Sequence, residues 1–144
     1  LFDRTGRVLC AIDLDTVMNS PSLNDFGDAI RSAANFVEED CPQPEKAGVD
    51  LEVFEAFADG FLKNTAAALT KTEIDTLAQS CLALTAELSV RFLDDYIQGD
   101  PYFKINYPKH NLVRSRCQMA LAKDMERKMD TMDAIVRQCA ARYL

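Results

Sequence analysis

Asp13 lies near the end of a run of β-forming residues, RVLCAIDL at 7–14, and a carboxylate at the open end of a strand is placed to hold a cation. In phosphoryl transfer such a group binds the Mg²⁺ that bridges the nucleotide phosphates. An acidic residue at a strand end is also common and often only solvated, so residue type and position leave both uses open. Arg91 is the second residue of chemical interest, because its fork of donors can take two oxygens of a sugar or phosphate at once. Glu87 and Asp95 stand four positions either side of it, where a helix salt bridge would satisfy it without any ligand. Tyr102, just past Pro101, can equally close the end of a helical bundle. The single histidine, His110, and the five cysteines, Cys10, Cys41, Cys81, Cys117 and Cys139, have neither CxxC pairs nor metal-ligand spacing. Reduced, mostly buried thiols are therefore expected.

The elements that must position these residues are mainly helical. The turn-like Asp3-Arg4-Thr5-Gly6 before 7–14 predicts a small N-terminal β-hairpin with that run as its second arm. From about Asn24 the residues Phe26, Ala29, Ile30, Ala33 and Ala34 recur at helical spacing, and this helix should end before Pro42 and Pro44. Asp50 is a plausible N-cap for a helix with Leu51, Phe54, Phe57, Ala58, Phe61 and Leu62 on one stripe. Thr70 followed by Glu73 is a capping-box pattern opening a long helix to about Ile97, apolar on more than one face. Gly99-Asp100-Pro101 stops it, residues 102–107 are irregular or extended, and Asn111 can cap a last helix to about Arg142. Met125, Met129 and Met132 share one face of that helix, an arrangement that suits core packing.

At 144 residues and 48% hydrophobic content the chain fits one domain with a real core. The formal charge of −7 argues against nucleic acid or an anionic membrane as the main partner. No apolar run is long enough to span a bilayer and no signal-peptide pattern opens the chain, so the sequence reads as cytoplasmic.

The block GRVLCAIDLDTVMNSPSLNDFGDAIRSAAN resembles the part of the aminoglycoside phosphotransferase superfamily in which a strand ending in Ile-Asp supplies the metal-binding aspartate and a second aspartate opens the next helix. The blocks VRFLDDYIQGDPYFK and HNLVRSRCQMALAKDME are similar to the N-acetylhexosamine 1-kinase branch in particular. The resemblance covers most of the chain, in order. It implies the helical C-terminal lobe of a protein-kinase-like fold, with Mg²⁺ as cofactor and ATP and a sugar as substrates. It makes Asp13 the Mg²⁺ ligand and Asp15 a candidate helper at the metal. Asp25 matches the aspartate that braces the catalytic loop, and Arg91 and Tyr102 match contacts to the sugar. Asp25-Phe26-Gly27 literally spells DFG, but a metal-binding DFG follows directly on a strand, whereas this one follows Ser20-Pro21-Ser22 and runs into a helix. Two uses of Asp25 are open: bracing the loop, as the resemblance implies, or serving as a helix N-terminal charge favoured by the dipole.

These kinases need an HxDxxxxN-like loop carrying the catalytic base, and a preceding lobe that covers ATP with a lysine. The histidine here sits in KHNLVR with no Asp two residues on, and the chain opens on Leu1, twelve residues before Asp13. The expectation is a C-terminal fragment without catalytic loop or N-terminal lobe, inactive alone. The parent would move the γ-phosphoryl of ATP to the anomeric hydroxyl of an N-acetylhexosamine, or, within the same superfamily, to an aminoglycoside, a choline-like alcohol or homoserine. A reading of another class is a stand-alone interaction module whose exposed stripe of Phe54, Phe57 and Phe61 docks a partner helix.

Overall fold

The structure, a computed structural model, describes residues 1–14 and 17–144. Its described residues form four α-helices, α1 (Ser22–Ala33), α2 (Leu51–Thr65), α3 (Lys71–Ile97) and α4 (His110–Ala140), with short 3-10 turns at Pro44–Lys46 and Ala66–Ala68. The mainly helical class expected from periodicity is what forms. No helix among the described residues is long and apolar enough to cross a membrane.

The caps explain where two of the helices start. The Asp50 carboxylate accepts from the N–H groups of Glu52 at 2.9 Å and Val53 at 3.3 Å, so two donors left over at the start of α2 are satisfied. At α3, Thr70 Oγ1 accepts from Glu73 N–H at 3.2 Å while the Glu73 carboxylate accepts from Thr70 N–H at 2.7 Å, a reciprocal capping box. The last helix departs from expectation: it begins at His110 behind Lys109, whose φ is 69°, and no side chain caps it. Asn111 is not its cap because its amide reaches back to Asp95 and Asp100, both at 2.9 Å.

The core sits where α1 and α4 pack on α3 and where α2 closes over them. Phe26 of α1 lies 6.0, 5.6 and 5.1 Å from the ring centroids of Phe54, Phe57 and Phe61 of α2. The phenylalanine stripe is thus directed inward: Phe54 is buried and the other two are half-buried, so it is not the exposed docking surface expected of an interaction module. Close approach of α1 to α3 depends on Gly27, where an added Cβ would lie 2.8 Å from the Ser80 carbonyl oxygen. Met125 and Met132 are buried and Met129 packs against the same cluster, as core methionines.

The 34–50 loop is tied at both ends. Phe36 N–H donates to the Gly48 carbonyl at 3.0 Å and Asp50 N–H to the Ala34 carbonyl at 2.7 Å. It is docked on α4 by the buried Asp124, whose Oδ2 accepts from Val49 N–H at 2.9 Å and pairs with Lys128 at 2.7 Å, while Lys128 also donates to the Val49 carbonyl at 2.9 Å. Burial works to raise the Asp124 carboxyl, but the bonds from Lys128, Arg127 and the Val49 amide outweigh it and hold the group below its ordinary range.

The N-terminal hairpin forms as a turn rather than as two strands. Gly6, with φ of 84°, lets its N–H donate to the Asp3 carbonyl at 3.0 Å, and Phe2 and Val8 make one antiparallel bridge. Beyond Val8 the expected strand at 7–14 does not form among the described residues, so Asp13 does not end a strand. A strand needs neighbours for its backbone groups; Leu9 N–H donates to the Leu1 carbonyl at 2.9 Å and the Leu1 amino group to the Cys10 carbonyl at 2.8 Å, but the first arm ends there, and Ile12 and Leu14 are exposed. Asp13 itself has φ of 64°, which breaks an extended path.

Candidate functional site

Asp95 organises the best-formed polar site. It is buried at 5% exposure near the end of α3, and its Oδ1 accepts from Tyr102 N–H at 2.9 Å while its Oδ2 accepts from Phe103 N–H at 3.0 Å and from the Asn111 amide. The chain reverses over this carboxylate, with Gly99 at φ of 91° and Asp100 at 59° making the turn. The returning segment thereby lays Tyr102 and Phe103 beside Arg91: the guanidinium carbon stands 5.9 Å from the Tyr102 ring centroid and 5.6 Å from that of Phe103. Both residues line one pocket of about 280 Å³ with Asp94, Asp95, Gln98 and Pro101.

The helix salt bridge considered for Arg91 is weak here. Glu87 approaches it only to 3.9 Å, with both side chains about half exposed, and Asp95 is committed to the loop instead. Tyr102 is 75% exposed, so it does not close the bundle as a buried plug. Phe103 packs on Phe92 in a tilted pair with ring centroids 4.7 Å apart, and Arg114 lies 5.4 Å over the Phe92 ring while donating to the Lys104 carbonyl at 3.2 Å. A ring face beside a guanidinium, with the Asp94 carboxylate and the Gln98 amide at the rim, suits a small uncharged molecule rich in hydroxyls.

The other expected site residues are not gathered there. Asp13 is exposed and is not among the residues lining the Arg91 pocket. Asp25 stands exposed in the first turn of α1 and makes no side-chain hydrogen bond among the described residues, the geometry of a helix N-terminal charge. Asp15 lies outside the described residues. Among the described residues no group of three His, Cys, Asp or Glu side chains could hold a metal ion. Mg²⁺ commonly takes one or two carboxylates and completes its shell with phosphates and water, so exposed Asp13 fits as one ligand and no more.

Two features had no sequence signal. His110 is buried, with Nδ1 accepting from Asn106 N–H at 3.2 Å, so Nε2 carries the proton and donates to Asp40 Oδ2 at 3.0 Å, 70 positions away. With both ring nitrogens engaged, His110 is a structural clasp between α4 and the 34–50 loop. Glu39 joins the same region by pairing with Arg31 at 2.6 Å and approaching Arg114 at 3.6 Å. No protein-family model matches the chain.

Proposed function

We propose that the chain is the helical lobe of an ATP-dependent sugar kinase, in which Arg91 and Tyr102 hold the acceptor sugar and Asp13 is a protein ligand of Mg²⁺. The observation that carries this reading is the convergence of Arg91 and Tyr102 on one pocket, braced from behind by Asp95. A sugar needs both a flat apolar wall for its ring and directional donors for its hydroxyls, and this pocket supplies both. A quaternary ammonium is a poorer fit, because the Arg91 guanidinium beside Tyr102 and Phe103 already puts a positive charge against these rings. This favours an N-acetylhexosamine over a choline-like alcohol. Exposed Leu9, Ile12, Leu14, Val17 and Met18 form an apolar segment that the remainder of a kinase would cover.

Bound Mg²⁺ would neutralise phosphate charge during transfer, with Asp13 supplying one oxygen. Arg91 would orient a hydroxyl for in-line attack, which is a positioning role. The test is steady-state kinetics of the full-length protein with ATP and N-acetylhexosamines. Arg91→Ala should raise KM for sugar at least tenfold while leaving KM for ATP within about twofold, because only a sugar contact is removed. Equal effects on both substrates, or no sugar-dependent turnover in the intact protein, would refute the assignment.

A further inference from the structure

A second cleft, of about 1170 Å³, opens between the C-terminal end of α1, the 35–42 loop and the early turns of α4. It shares no lining residue with the Arg91 pocket. Gln118 is among its lining residues and is 0% exposed, and its Nε2 and Oε1 both lack a hydrogen-bond partner among the described residues. A buried primary amide with neither donor nor acceptor satisfied costs stability unless something enters to pair with it.

The lining defines what that something is. Glu38, Glu39 and Asp40 line the cleft, and Arg31 is already shared between Asp28 and Glu39, so an anion meets uncompensated acidic charge. Asp40 already accepts from His110 Nε2 at 3.0 Å, and the group left without a partner is the neutral Gln118 amide, so the missing contact is a hydrogen bond and not an ion pair. Phe36 and Tyr107 stand at the rim with exposed ring surface. A carboxamide side chain offers a donor and an acceptor side by side, and its complement is a molecule whose own acceptor and donor are adjacent and coplanar. We propose that this cleft binds a neutral planar compound with a primary-carboxamide or lactam edge, paired to the Gln118 amide and flanked by Phe36 and Tyr107. The acetamido group of a hexosamine does not meet this requirement, because a trans amide turns its C=O and N–H to opposite sides. The site is independent of the proposed sugar pocket.

The experiment is titration of the full protein, without ATP or sugar, with nicotinamide and separately with uracil, following the Gln118 side-chain NH₂ resonances by ¹⁵N NMR. Both probes should shift these resonances saturably, and benzoate and N-acetylglucosamine should not. Gln118→Met, close in shape but without the amide, should weaken nicotinamide binding roughly tenfold or more. Gln118→Glu, which removes the donor, should weaken it as well, and either variant alone suffices if the other folds poorly. Unmoved Gln118 resonances at saturating probe, undiminished affinity in the variants, or equal shifts with benzoate would overturn the proposal. A shift caused by N-acetylglucosamine would also overturn it, by making the cleft part of a sugar site.

Discussion

Asp95 shows how one carboxylate can decide the shape of a site without touching its ligand. It accepts from two consecutive loop amides and from Asn111, and those three bonds fix where Tyr102 stands relative to Arg91. Asp95→Ala should therefore cost about 2–4 kcal/mol in thermal unfolding, the loss of several charge-assisted bonds at a mostly buried position. The same variant should mimic Arg91→Ala in its effect on KM for sugar, a result that a purely local helix role would not produce. The cysteines allow a separate test at this scale. Burial pushes the Cys81 thiol up to about 12, and it raises Cys117 and Cys139 as well, whereas Cys10 is exposed. Maleimide at neutral pH should modify Cys10 first and leave Cys81 untouched until the protein is denatured; early labelling of Cys81 would contradict its burial.

At the scale of elements, Gly27 sets how closely α1 approaches α3. A methyl group there meets the Ser80 carbonyl oxygen at 2.8 Å, and backbone cannot swing aside as a side chain can. Gly27→Ala should thus destabilise by about 1–3 kcal/mol, read as a lower Tm, although alanine is the better helix former. The starts of α2 and α3 were legible in the sequence because Asp50, Thr70 and Glu73 act on donors within three positions of themselves. Asn111 misled because it carries the same chemistry but reaches Asp95 and Asp100 across a turn, at separations that no local rule covers. The strand at 7–14 misled for a related reason: β-propensity describes fit to a neighbouring strand, and the hairpin provides a single bridge pair. Arg91 and Tyr102 could be singled out from residue type and resemblance, but Asp95 was legible only as a helix-spaced charge. Gln118 and the Asp40–His110 clasp were invisible, since each acts between segments far apart in sequence.

At the scale of the whole molecule, Asp124 is the tie between the 34–50 loop and α4, and its titration gives stability a defined pH dependence. Its folded-state pKa lies below the ordinary 3.8, so the unfolded chain binds the proton more readily. The contribution is complete above about pH 5, and it is lost as pH falls through the unfolded and then the folded pKa. Asp124→Asn should flatten that acid limb in a series of denaturant melts; an unchanged limb would place the acid sensitivity elsewhere. The tie also makes one backbone amide a reporter. Val49 belongs to no helix, yet its N–H is bonded to a buried carboxylate 75 positions away. In deuterated solvent, the slow-exchanging amides of a helical protein are expected in its central turns, and loop amides exchange within minutes. Val49 should be the exception, with a protection factor close to that of Leu121 at neutral pH. In Asp124→Asn its protection should fall well before that of α4, because the loop can then lift while the helices stay packed. Deuterium uptake at this single position would separate detachment of the loop from unfolding of the bundle.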